Sequence, residues 1–442
     1  MTPASDPIFT DVAATLCLIF IFLVPLAGAG LALINTGLGR ARSAAHQMMS
    51  SLCAVSIAAV AYLVCGFAWQ GFAGGPAHVL HVGGKGWSWI AAQPLFLRHV
   101  TLNGSPASLV ALLGMMSAAL AALIPLGSGA DRWKLSATCA STVLLVGVTY
   151  PIFAHWVWGG GWLAQLGENY GLGRGFVDAG GSSTIQAVGG LTALSIAWIL
   201  GPRRGKYTTE GMPTAIPGHN SSFVVLGCML ALVGWWGLNS AGAVVFAGAG
   251  TGDAVLVAIN TTLCAAASAL MAAVITGVRF GKPDVSLTAN GWVGGLVASS
   301  AACVFVRPPE AAAIGMVAGA LVTFSVEWFE LRMSVDDPGG AISAHGMGGI
   351  WGVLAVGLIA RVPPMGPNAT GEPPGQWLAQ VVGIATLIGF VLPLTYGLNW
   401  LLNRMRPQRV SVEGERQGMD LHELGAGAYP EFMTHSDDFG QR

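Results

Sequence analysis

Eleven apolar runs constrain this 442-residue chain more than any single motif in it. They fall at about 9–37, 44–71, 106–129, 135–156, 182–201, 220–246, 253–278, 284–305, 310–331, 340–360 and 376–403. Each is close to or above the roughly 20 residues a helix needs to cross a bilayer. With 53% hydrophobic and 9% charged residues and a mean hydropathy of +0.64, the chain does not read as a soluble globular domain. The fold class expected is an all-α polytopic membrane protein of eleven transmembrane helices. A net charge of −1 gives no reason to invoke nucleic acid. No Lys or Arg precedes the first run, which is therefore read as a span and not as a cleaved signal peptide.

The basic residues set an orientation. With the N-terminus outside, Lys85, Arg98, Arg174, Arg307 and Arg361 lie outside and the remaining fifteen of the 20 Lys and Arg lie inside. The positive-inside rule favours that topology. The outer connections 72–105 and 157–181 are long, the inner ones short and basic. The polar residues 404–442 are read as a cytoplasmic tail after a membrane domain of residues 1–403. Glu327 and Glu330, near the inner end of the ninth run, are expected to pair with Arg332.

One stretch occurs twice. Asp178-Ala-Gly-Gly-Ser-Ser-Thr-Ile-Gln-Ala-Val-Gly-Gly opens the fifth run, and Asp337-Pro-Gly-Gly-Ala-Ile-Ser-Ala-His-Gly-Met-Gly-Gly opens the tenth. Each copy has a cap-capable Asp, a Gly pair, a polar residue at the same offset (Gln186, His345) and a second Gly pair that lets another helix come close. Spans five apart run in opposite directions. The chain is thus expected to hold two inverted five-helix repeats, about 9–201 and 220–360, plus a final helix. In such an architecture the site lies near the midplane where the halves meet.

Histidine and glutamine are expensive in lipid, so His345 and Gln186 are read as facing a pore rather than as ordinary structural hydrogen-bonders between helices. Trp158, beside three glycines, offers its ring face to a cation at a pore mouth, whereas most of the 15 Trp are ordinary interfacial residues. The seven cysteines are scattered without a C-x-x-C pair and read as small core residues, not as metal ligands or disulfides. No nucleophile–base pair or metal-ligand cluster is present in the pattern. Neither an enzyme nor a cofactor or metal is expected.

Several stretches, in order and spacing, resemble the ammonium transporter/Rh channel family over nearly the whole chain. They are Ala154-His-Trp-Val-Trp-Gly-Gly-Gly-Trp162, the Asp178 copy, Pro217-Gly-His-Asn220, Gly234-Trp-Trp-Gly-Leu-Asn239, Gly281-Lys-Pro-Asp284, Asp336-Asp-Pro with His345-Gly-Met-Gly-Gly-Ile-Trp-Gly352, and the tail segment from Gly418 to Phe432. The resemblance implies eleven helices, a homotrimer with one pore per subunit, an inner (plasma) membrane location, and a PII-type signal protein as cytoplasmic partner. It implies recruitment of the cation by a Trp and a Ser, a gate of two Phe rings, and a hydrophobic pore lined by two histidines. Trp158 matches the recruiting Trp, Asp178 the structural acid of the vestibule, and His345 the second pore histidine.

Four positions depart. The first pore histidine is Gln186, the two gate Phe fall at Ser117 and Leu238, and the vestibule Ser falls at Gly242. A Gln amide hydrogen-bonds an imidazole but does not titrate. Ser and Leu in place of two rings are expected to widen the constriction. The function expected is a channel or transporter for ammonium/ammonia that also admits small alkylamines. The alternatives are an ammonium sensor with little or no transport, signalling through the tail, and passage of a small neutral solute.

Overall fold

The computed structural model describes residues 11–363 and 374–429. Arg442 and the Pro430-Glu431-Phe432 end of the tail motif lie outside the described residues. Among those described, nine helices are long and apolar enough to cross a membrane. They are α1 (Val12–Leu38), α2 (Ala41–Gln70), α3 (Pro106–Gly129), α4 (Leu135–Val157), α5 (Ser182–Leu200), α6 (Ser221–Ala247), α7 (Thr251–Phe280), α9 (Pro308–Met333) and α11 (Gln376–Met405). Two shorter helices, α8 (Val285–Ala302) and α10 (Ile342–Leu358), complete the expected eleven. Local chemistry explains several starts. Ser105, Asn220 and Asp284 cap α3, α6 and α8 by accepting from the N–H of Ser108, Phe223 and Leu287. Pro occupies the first position of α3 and α9, where no N–H is needed.

The inverted relation shows in α5 and α10. Both open with a turn of π-type helix, Ser182–Ala187 and Ile342–Met347. Both are preceded by an Asp that accepts helix N–H groups: Asp178 from Gly181, Ser183 and Thr184, and Asp337 from Ile342. The two helices cross at their glycines. A Cβ on Gly190 would stand 2.3 Å from the backbone N of Gly346, and one on Gly349 would stand 2.3 Å from the carbonyl oxygen of Ser182. Only glycine allows that approach, and its reciprocity is the two-fold relation seen in the doubled stretch.

The connection 72–105 is mostly non-helical, with one short 3-10 turn at Leu95–Leu97. It holds a two-stranded antiparallel hairpin, β1 (Ala77–Val82) and β2 (Lys85–Ala91). Among the described residues this hairpin is the departure from the all-α expectation, and its tryptophans explain it. Trp87 and Trp89 of β2 pack with Trp156 and Trp162, and Trp156 Nε1 donates to the Trp89 carbonyl at 2.7 Å. His155 joins the same end: its ring bonds Ser88 Oγ and the Gln70 carbonyl, both at 2.9 Å. This histidine, in the last turn of α4, is as buried as His345.

At the opposite end the tail folds back on the bundle. Asp420 accepts from the N–H groups of Ala45 and His46 in the first turns of α2, His46 pairs with Glu423 at 3.0 Å, and the Trp133 indole donates to Gln408. A buried network lies beneath it: Asp336 holds Arg203 through both carboxylate oxygens, and Arg203 also reaches Asp131 at 3.0 Å. Glu327 and Glu330 do not pair with Arg332. Glu327 takes Arg279 at 2.7 Å and Glu330 takes Lys206 from the loop after α5; Arg332 stands five residues from Glu327 and two from Glu330, spacings that do not bring side chains together on one helix face.

Candidate functional site

Gln186 and His345 meet where α5 and α10 cross. His345 Nδ1 donates to Gln186 Oε1 at 2.7 Å, and both side chains are buried. With its proton on Nδ1, the neutral imidazole leaves Nε2 as an acceptor. The Gln186 amide nitrogen is buried with no hydrogen-bond partner. The pair therefore offers one unused acceptor and unused N–H donors close to each other, buried in the interior of a largely apolar helix bundle.

The expected vestibule residues gather at the hairpin end. The Trp158 indole donates to the backbone carbonyl of Asp178 at 2.7 Å. The Asp178 carboxylate is spent on the start of α5: Oδ1 accepts from the Gly181 N–H, and Oδ2 from the N–H and hydroxyl of both Ser183 and Thr184. It orders the loop and has little capacity left for a ligand. Gly242 faces that loop so closely that a Cβ would stand 2.4 Å from the Ala179 carbonyl oxygen and 3.0 Å from Gly180 Cα. The Ser that the resemblance places at this position has no room, which gives the Gly a physical reason.

Ser117 and Leu238 are fully buried on α3 and α6, and the Ser117 hydroxyl lies beside the Tyr150 hydroxyl. No hydrogen bond ties either of them to Trp158, Gln186 or His345. Several aromatic or charged residues here, Phe176 among them, were not among the site residues read from the sequence. Phe246 stacks on Trp158, and Arg174 and Phe305 line a cavity of about 100 Å³ with Trp158, Phe246 and Asp178. One signal was available: Phe246 stands one helical turn beyond Gly242 and so shares its face of α6.

A family model described as "Ammonium Transporter Family" matches residues 15–429. The chain belongs to the ammonium transporter family. Ammonium transporter Amt2 of Archaeoglobus fulgidus is 37% identical over 428 residues, covering 93% of this chain and 87% of that protein. Ammonium transporter Amt2 of Haloferax mediterranei is 31% identical over 95% of this chain and 90% of that protein. Among solved structures, one titled "Sensor Amt Protein" superposes with a TM-score of 0.82 at 26% identity, covering 93% of this chain and 98% of that one. Saccharomyces cerevisiae Mep2 shares the fold, with a TM-score of 0.75 at 24% identity over 92% of this chain and 91% of that one. Family membership makes the apolar bundle a multi-pass membrane protein.

Proposed function

We propose that this protein conducts ammonia across the membrane: ammonium arrives at the hairpin end, leaves its proton to water on that side, and the neutral molecule passes the Gln186–His345 pair. Small alkylamines follow the same route. The polar pair carries the reading. Neutral ammonia has one lone pair to accept from the unpartnered Gln186 amide and N–H groups to donate to His345 Nε2. Ammonium has no lone pair, so it would set N–H against N–H at Gln186. A bare cation would also cost tens of kcal/mol by Born estimates in so apolar a setting, far more than the neutral molecule.

The hairpin end is assigned to the outside and the tail to the cytoplasm of the inner (plasma) membrane, on the fifteen-to-five division of Lys and Arg. The membrane domain is taken as 1–403 and the tail as 404–442. In this reading Trp158 and Asp178 form the vestibule with Gly242, Ser117 and Leu238 line the constriction below, and Gln186 and His345 line the pore. The likeness of the tail to the family's supports a PII-type partner and a homotrimer; native mass spectrometry reading a mass other than three copies would reject the trimer.

Flux in proteoliposomes tests the function. Saturable uptake of ammonium and methylammonium above protein-free vesicles is expected. Tight ammonium binding with flux at the background level would replace conduction by sensing.

A further inference from the structure

The reading above gives cation recruitment to Trp158, yet this indole is only 6% exposed and one of its faces is taken. Phe246 lies flat on it, with ring centroids 4.1 Å apart and planes 2° from parallel. That is van der Waals contact, with no space for an ion between the rings. A cation–π site needs a free ring face with the ion within about 6 Å of the centroid. Phe246 sits in the last turn of α6, just before Gly248 ends the helix in a left-handed conformation at φ +72°.

Arg174 holds that turn in place. Its Nη2 donates to the Ala247 carbonyl at 3.2 Å, a cation at a helix C-terminus where the dipole favours it. Both residues border the cavity of about 100 Å³ beside Trp158, which exceeds the roughly 30 Å³ a water takes in the liquid. Asp178 also lines this cavity, and its carboxylate is occupied by Ser183, Thr184 and the Gly181 N–H. In this conformation an arriving ammonium would find a nearly buried indole with Phe246 on one face, an engaged acid and a guanidinium.

We propose that Phe246 is a specificity-determining lid over Trp158, and that Arg174 is a positioning residue that holds it shut by pinning the last turn of α6. Ammonium reaches the indole face only when Phe246 swings away. The apparent affinity is then reduced by the fraction of molecules whose lid is closed. The inference rests on the conduction reading only for where the cation goes next; the covered indole is independent of it.

The test uses the full chain in proteoliposomes, with ammonium as the probe and half-saturation of uptake as the readout. Phe246→Ala should lower the half-saturating concentration about 3- to 10-fold, the worth of one aromatic stack. Phe246→Tyr should keep the wild-type value, and Arg174→Gln should shift it in the same direction as Phe246→Ala but less. Should Phe246→Ala fail to fold, Phe246→Leu removes the ring while keeping most of the volume. An unchanged or higher half-saturation in a folded ring-less variant overturns the lid. A packing role alone would reduce the maximal rate and leave half-saturation in place. If the wild type carries no flux, the conduction reading falls, and ammonium titration by calorimetry on the same variants still decides the lid: binding no tighter in Phe246→Ala than in wild type overturns it.

Discussion

At the scale of single residues, the site is defined by what each polar atom still has to offer. Gln186 and His345 spend one hydrogen bond on each other and leave one donor group and one acceptor free. Asp178, by contrast, is fully engaged in starting α5. The resemblance to the family places Ser117 and Leu238 where its usual pattern carries two rings. If the constriction there is wide, amines bulkier than methylammonium should pass relatively well. Restoring the rings with Ser117→Phe and Leu238→Phe should narrow the range, read as the uptake ratio of dimethylammonium to ammonium. An unchanged ratio in a folded double variant would remove these two positions from the constriction.

The same residues show how far the sequence reached. Gln186 and His345 were legible because a repeat pairs them by offset, and an offset survives without knowledge of packing. Phe246 was not legible as a lid, since one aromatic turn in an apolar helix looks like any other until its partner is placed. Gly242 was legible as a departure, but the carbonyl of Ala179 that excludes a side chain belongs to a loop far back in the chain, which only the folded structure brings near.

Among the elements, the tail-end loops are tied by buried charge rather than by apolar contact. Burial alone raises the Asp336 carboxyl, but Arg132 and Arg203 outweigh it and hold its pKa at about 2. The ordinary value is 3.8, so the stabilisation is complete above about pH 4 and is lost as the pH falls through about 2. Asp336→Asn leaves the buried Arg132 and Arg203 short of their main counter-charge. It should cost roughly 3–5 kcal/mol, seen as a lower melting temperature in detergent at pH 7. The gap between variant and wild type should shrink toward pH 2; a gap that stays constant with pH would show that the carboxylate charge is not what stabilises the loops. The eleven helices themselves were legible from run length. The hairpin was not, because its strands are held by tryptophans from α4 and the loop beyond it, contacts that no local pattern records.

Over the whole molecule, two inverted halves bring two helix starts from opposite ends of the bundle to one crossing. Glycines there let the backbones touch, and the polar pair sits at the contact. On the proposed route this pair supplies one titratable group, His345, where two histidines would form a relay. Ammonia should therefore cross with little or no coupled proton current. The most direct test is paired measurement of electrical current and isotopic ammonium uptake in proteoliposomes at equal protein density, for wild type and Gln186→His. The prediction is uptake with a low charge-to-uptake ratio in the wild type, and a higher ratio when the second imidazole is supplied. A large ammonium current in the wild type, unaltered by Gln186→His, would contradict it.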